Sequence, residues 1–119
     1  MLKQQHRLKK KSAFSATYRI KHSYCIAGIV LWVGRAKTDP AFDTKVGFVV
    51  SKKTHKRAVK RNRLKRLMRE NYRLFLKEGK IDKAQKYQSL VFVGFERALG
   101  KDFSQMKNVM YNLLENIKG

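Results

Sequence analysis

Ten Lys and Arg residues fall between Lys52 and Arg69: Lys52, Lys53, Lys56, Arg57, Lys60, Arg61, Arg63, Lys65, Arg66 and Arg69, with no acid among them. Such charges have no internal carboxylate to pair with. Phosphates can neutralise them, and arginine does so with a two-pronged guanidinium fork that lysine lacks. A merely solvated basic face normally mixes signs, so the run predicts a surface for a polyanion. Asn62 sits inside it, between Arg61 and Arg63. Asn is a mediocre helix former, which marks it for a hydrogen bond, either to RNA or to nearby backbone. A second constellation is aromatic. Phe14 and Tyr18 stand four residues apart, Trp32 follows in an apolar stretch, and Lys9, Lys10, Lys11 and Arg19 surround the first two. Either these rings are core, the default for aromatics at helical spacing, or they form a shelf on which unpaired bases stack, at about 1–3 kcal/mol per base.

Other chemistries find little support. Metal-assisted cleavage by a protein needs clustered carboxylates or histidines, and no acid lies between residues 44 and 69. His6, His22 and His55 are isolated in sequence, although a pair could meet in space for acid–base work. Neither a glycine-rich phosphate loop nor a zinc spacing is present. The reading is of a chain with no catalytic residue, metal or cofactor of its own.

The elements that must position these residues come from a chain of 119 residues, enough for one domain, 1–119, with one ordinary core. Its 29 Lys and Arg oppose 8 Asp and Glu, a formal charge of +21. Self-repulsion on that scale calls for a polyanion, nucleic acid before anionic membrane. Residues 1–69 hold 20 of the basic residues against Asp39 and Asp43, so the first part carries the electrostatic footprint and the rest is scaffold. One cysteine, Cys25, allows no internal disulfide and suits a reducing cytoplasm. No apolar run approaches the roughly 18 residues of a membrane span, and the basic start, Met1 to Lys11, leads into no signal-peptide pattern.

Ser12 is placed to cap a short helix bearing Phe14 and Tyr18. Cys25–Val33 reads as one strand, with Ile26, Gly28, Val30 and Trp32 on one face. Lys37–Thr44 is a turn, and Lys45–Ser51 a strand pairing back as a hairpin. Lys56 to about Glu78 is a long helix with a stripe of Leu64, Leu67, Met68, Tyr72 and Phe75, stopped by Gly79. Tyr87–Phe95 is another strand. Asp102, with Gln105 in capping-box position, starts a last helix striped by Phe103, Met106, Met110, Leu113 and Ile117. The order helix, strands, helix, strand, helix predicts an α+β sandwich around one sheet, with the strands on either side of the long helix parallel.

The stretch Val46–Asn71, VGFVVSKKTHKRAVKRNRLKRLMREN, resembles the core of the bacterial ribonuclease P protein subunit. The signature is Ser51-Lys52-Lys53 ending a strand, then Arg61-Asn62-Arg63 and Leu64-Lys65-Arg66 on the long helix. The opening Arg7-Leu8-Lys9-Lys10 with Phe14 and Tyr18 is similar too. The resemblance implies a sandwich whose strand–helix–strand crossover is left-handed, against the usual rule. It implies the protein component of a ribozyme holoenzyme, an endoribonuclease that removes the 5′ leader of precursor tRNA, with Mg2+ and the chemistry on the RNA. Lys52, Lys53, Arg61, Asn62, Arg63, Lys65 and Arg66 become contacts to the catalytic RNA, joined by Arg57 and Lys60 on the same basic stretch. Phe14, Tyr18 and Trp32, with Lys10 and Lys11, become the cleft for the leader. Trp32 stands where the family has tyrosine or phenylalanine, and the Thr54-His55-Lys56-Arg57 link is more basic than the glycine-containing version of many relatives.

Two other classes compete. A ribosomal or other structural RNA binder has similar size and charge but no need of an aromatic shelf. A DNA binder would lay the basic helix in the major groove, yet this helix carries an apolar stripe from Leu64 onward and is flanked by strands.

Overall fold

The computed structural model describes residues 2–118. Helix α1 spans Lys11–Arg19. Its first turn closes on the Lys10 carbonyl, which accepts from the N–H groups of Ala13 and Phe14 at 3.0 and 3.2 Å. Lys10 is therefore the N-cap, and Ser12, the expected cap, lies inside the helix.

The apolar run expected as one strand is a hairpin, β1 (His22–Ile26) and β2 (Ile29–Val33). Ala27 and Gly28 turn the chain at φ 48 and 87. Two left-handed residues in succession make the turn whose twist matches a hairpin. Written Ala-Gly rather than Asn-Gly, it merges with its apolar flanks in the sequence. The pairs Ile26↔Ile29 and Tyr24↔Leu31 put Ile26 on the core face, opposite Val30 and Trp32, so the expected four-residue face is broken at the turn.

Strand β3 (Lys45–Val49) does not pair back on the first strand as expected. It runs parallel to β4 (Ser89–Gly94), in the sheet order β1-β2-β4-β3. The reason is burial: Leu90, Val91 and Phe92 are all inaccessible, and a strand apolar on both faces belongs inside a sheet. Beyond β3, the Leu8 N–H donates to the Val46 carbonyl at 2.9 Å, so the N-terminal segment lies along that edge.

Helix α2 spans Ala58–Glu78, two residues shorter at its start than expected, and Gly79 closes it at φ 66. Leu64, Met68, Tyr72 and Phe75 are buried on the sheet's core face, each worth about 1.5–3 kcal/mol if an aliphatic or phenyl side chain. The Phe48 and Phe92 rings stack at 5.8 Å, and Tyr72 meets both edge-on at 6.2 Å. Burial pushes the Tyr72 phenol far up, while Gln85 donates to its oxygen at 3.2 Å. Helix α3 (Phe103–Glu115) starts with the expected capping box. The Gln105 N–H donates to Asp102 Oδ1 at 2.8 Å, and the Asp102 N–H to Gln105 Oε1 at 3.0 Å. Its stripe is buried except for Phe103, which at the first helical position stays 38% exposed; Val109 and Leu114 join the core instead. The result is an α+β fold with α2 and α3 on one face of a mixed sheet and α1 on the other.

Candidate nucleic-acid interface

Helix α1 is seated on the outer sheet face by contacts to three strands. Thr17, buried, shares a 2.6 Å hydrogen bond with Ser89 of β4. Phe14 packs against Gly47 of β3, where any Cβ would overlap its ring. Close approach, not backbone freedom, demands glycine there. Further along α1, Tyr18 meets Trp32 of β2 edge-on, ring centroids 5.4 Å apart. The structure thus brings Tyr18 and Trp32 together and uses Phe14 as an anchor to β3. Partial burial raises the Tyr18 phenol above its ordinary range.

Register shows what α1 leaves open. Trp32, Val91 and Gly47 lie in one row across the outer face, and Val30, Val93 and Val49 in the next. Val91 is inaccessible beneath α1, whereas Val30, Val49 and Val93 are half-buried and Cys25, opposite Val30, is exposed. This half of the sheet is an apolar trough with the Tyr18–Trp32 pair at one end. Exposed Lys10 and Lys11 start α1, and Lys9, Lys10 and Lys45 rim a hollow of about 520 Å3 beside it.

The basic run divides between the 50–57 loop and the first turns of α2. Lys52, Lys53, Arg57, Lys60, Asn62, Arg63 and Arg66 are exposed, and Lys65 half-buried. Two arginines have intramolecular work that the sequence does not reveal. Arg61 Nη1 donates to the carbonyls of His55 and Lys56 at 2.9 and 2.8 Å, closing the loop onto the helix. Arg63 donates to the carbonyls of Leu99 and Lys101, both at 3.3 Å, tying α2 to the approach of α3. Among the described residues the ion pairs are Arg73–Glu70, Lys80–Glu78 and Lys83–Glu115, all outside the run 52–69.

His6, His22 and His55 lie on separate segments, and among the described residues no three His, Cys, Asp or Glu side chains gather. No described helix is long and apolar enough to cross a membrane. Phe95, expected only as the end of a strand, is 47% exposed just beyond β4. Its signal is the alternation Val91, Val93, Phe95, which continues the outer face.

A helix-backed mixed sheet with an uncompensated basic helix and a half-open aromatic face defines a small α+β RNA-binding protein. The Ribonuclease P family model matches residues 2–118. The chain belongs to the ribonuclease P protein family. It is 38% identical to the ribonuclease P protein component of Clostridium perfringens over 115 residues, 91% of this chain and 85% of that one. It is 33% identical to that of Clostridium botulinum over 111 residues, 93% of each. The RNase P protein from Thermotoga maritima superposes with a TM-score of 0.76 at 26% identity, covering 95% of this chain and 98% of that one. The Staphylococcus aureus protein does so with a TM-score of 0.73 at 25% identity, over 92% and 93%.

Proposed function

We propose that this protein component of ribonuclease P works through two RNA surfaces. The exposed cations of the 50–57 loop and α2, with Asn62, hold the catalytic RNA of the holoenzyme. The trough beside Tyr18 and Trp32, with Lys10 and Lys11 at its approach, holds the 5′ leader of precursor tRNA. The observation that carries the division is the sheet itself: α2 packs on its core face, whereas Tyr18 and Trp32 meet on the other. Phosphate contact supplies affinity along α2. Stacking on half-open rings supplies affinity for unpaired bases without a paired partner.

In this reading the protein contributes no reacting group. Mg2+ belongs to the RNA, where it supplies an activated water and charge stabilisation at the scissile phosphate. The chain's cations lower the repulsion between two RNAs brought together, a counterion effect. We place this work in the cytoplasm, where an exposed thiol such as Cys25 stays reduced.

The test compares precursor and mature tRNA on holoenzyme reconstituted with ribonuclease P RNA. Trp32→Ala is expected to weaken precursor binding alone, and Arg66→Ala to weaken assembly with the RNA. Equal loss of precursor and mature tRNA by a fully folded Trp32→Ala protein would refute the leader assignment.

A further inference from the structure

Where β3 and β4 end, the outer face opens into a concavity of about 790 Å3 lined by Ser51, Lys53, Thr54, Phe95, Glu96 and Arg97. Its frame is fixed. The Phe95 N–H donates to the Gly28 carbonyl and the Phe95 carbonyl accepts from Ala98, both at 2.9 Å. The hairpin turn packs so closely on this segment that a side chain at Gly28 would lie 2.8 Å from Arg97 Cβ and the Ala98 nitrogen. Opposite, the Thr54 N–H donates to the Ser51 carbonyl at 3.0 Å, folding the start of the basic loop into a turn.

Within that frame the Phe95 ring is 47% exposed and stacks on no other described ring. An aromatic side chain held open between Lys53 and Arg97 has the character of a platform for a base whose phosphates the two cations can meet. Glu96 adds a discriminating element. In a chain of +21, most acids have evident local tasks. Glu70, Glu78 and Glu115 are in ion pairs, Asp102 caps α3, and Asp39 accepts from the Ala41 N–H. Glu96 is exposed and in none of the ion pairs of the described residues, although it lines the same concavity as Lys53 and Arg97. A carboxylate repels phosphate, so its place beside a phosphate path is unfavourable unless it meets donors on the base. Guanine alone among the four bases offers two adjacent donors, N1–H and N2–H, to the two oxygens of one carboxylate.

We propose that Phe95 and Glu96 form a subsite that stacks one unpaired guanine of the precursor tRNA leader and reads its Watson–Crick edge. The inference rests on the leader reading above. It commits to the leader because Phe95 continues the row of Val91 and Val93 on the outer face. It stands about 13 Å along the strand from the row of Trp32, at about 3.3 Å per residue. A strand of leader stacked at Trp32 reaches it by following the trough.

The experiment walks a single guanine through an otherwise adenine leader and measures precursor affinity for the reconstituted holoenzyme, with mature tRNA as reference. At one register guanine should bind at least about fivefold more tightly than adenine, the lower end of two-bond base discrimination. Glu96→Gln should abolish that preference while leaving mature tRNA unaffected and all-adenine leaders bound at least as tightly, because the carboxylate's repulsion of phosphate is gone. Phe95→Ala should weaken every leader long enough to reach the subsite, with at most a small drop in melting temperature, because about half of the side chain is exposed. A flat guanine walk, with precursor still favoured over mature tRNA and sensitive to Trp32→Ala, overturns the subsite and leaves the leader reading standing. A flat walk with no precursor preference overturns both. A guanine preference that survives Glu96→Gln, or that appears on binding the catalytic RNA alone, also overturns the assignment.

Discussion

Removing Arg61 and removing Arg66 should give different kinds of damage, although each substitution deletes one positive charge from one turn or so of the same helix. Arg66 is exposed and makes no side-chain hydrogen bond among the described residues, so Arg66→Ala should change stability by no more than about 0.5 kcal/mol. Arg61 holds the carbonyls of His55 and Lys56 at 2.9 and 2.8 Å. Hydrogen bonds to a charged donor are worth about 1.5–3 kcal/mol when shielded; half-burial and solvent at this loop reduce the pair to about 1–2 kcal/mol for Arg61→Ala. On RNA the two should converge. Seven of the run's cations are exposed, Lys52, Lys53, Lys56, Arg57, Lys60, Arg63 and Arg66, and half-buried Arg61 adds an eighth. If each meets a phosphate, the log–log salt slope is about 6–7, and each alanine flattens it by about 0.7–0.9. The assay pairs urea unfolding with salt titration of binding to ribonuclease P RNA. Arg61→Lys adds a control, since it keeps charge and slope but loses the double carbonyl contact. The reasoning fails if Arg61→Ala unfolds at the wild-type midpoint, or if Arg66→Ala leaves slope and affinity unchanged.

Trp32→Ala should cost about 1–3 kcal/mol of affinity for leader-bearing precursor, and less stability than the about 3–5 kcal/mol of a fully buried ring, because Trp32 is half-buried; parallel binding and thermal melts check both. Gly47→Ala drives a methyl into the Phe14 ring, so it should cost about 1–3 kcal/mol of stability and impair precursor binding while the salt slope for the catalytic RNA is kept. Alkylation of Cys25, exposed on the open half of the sheet, should block precursor but not mature tRNA binding, and bound precursor should slow the thiol's reaction. The protein without RNA should leave precursor tRNA intact, while holoenzyme cleavage should gain most from the protein at low Mg2+, as read by gel assay across a magnesium series.

What was legible in the sequence follows from how local each cause is. Helices α2 and α3 could be read because their apolar stripes, Gly79 and the Asp102–Gln105 box are separated by a few residues. The parallel relation of β3 and β4 followed from the helix between them. The β1–β2 turn was hidden because Ala27-Gly28 carries little turn signal, and β3's true neighbour depended on burial of β4, some 40 residues away in sequence. At the site, the cations were legible as a group, but not the division of labour among them. Arg61 and Arg63 look like Lys60 and Arg66 until the carbonyls of residues 55, 56, 99 and 101 are placed beside them. The Tyr18–Trp32 pair likewise needed the sheet to bring residues 14 positions apart into contact.

The two long helices show why the chain's local rules break where they do. Helix α3 begins with a reciprocal capping box, which satisfies its first N–H groups and sets an acid at the positive end of the helix dipole. Helix α2 begins at Arg57 with no side-chain cap and no acid in its first turn, and it adds Lys60, Arg61 and Arg63 to the same positive end. By the rules that shape α3, this start is unfavourable: dipole and side chains repel, and the N–H groups lack an anionic partner. Arg61 relieves only the loop carbonyls and leaves the positive charge in place. RNA phosphates would reverse every one of these signs, because an anion at the start of α2 would meet the dipole and the side chains together. The helix is therefore locally inconsistent as free protein and consistent when bound. That is the pattern expected where sequence has been spent on binding rather than on stability. The buried stripe of Leu64, Met68, Tyr72 and Phe75 holds the helix in place in the absence of such an anion.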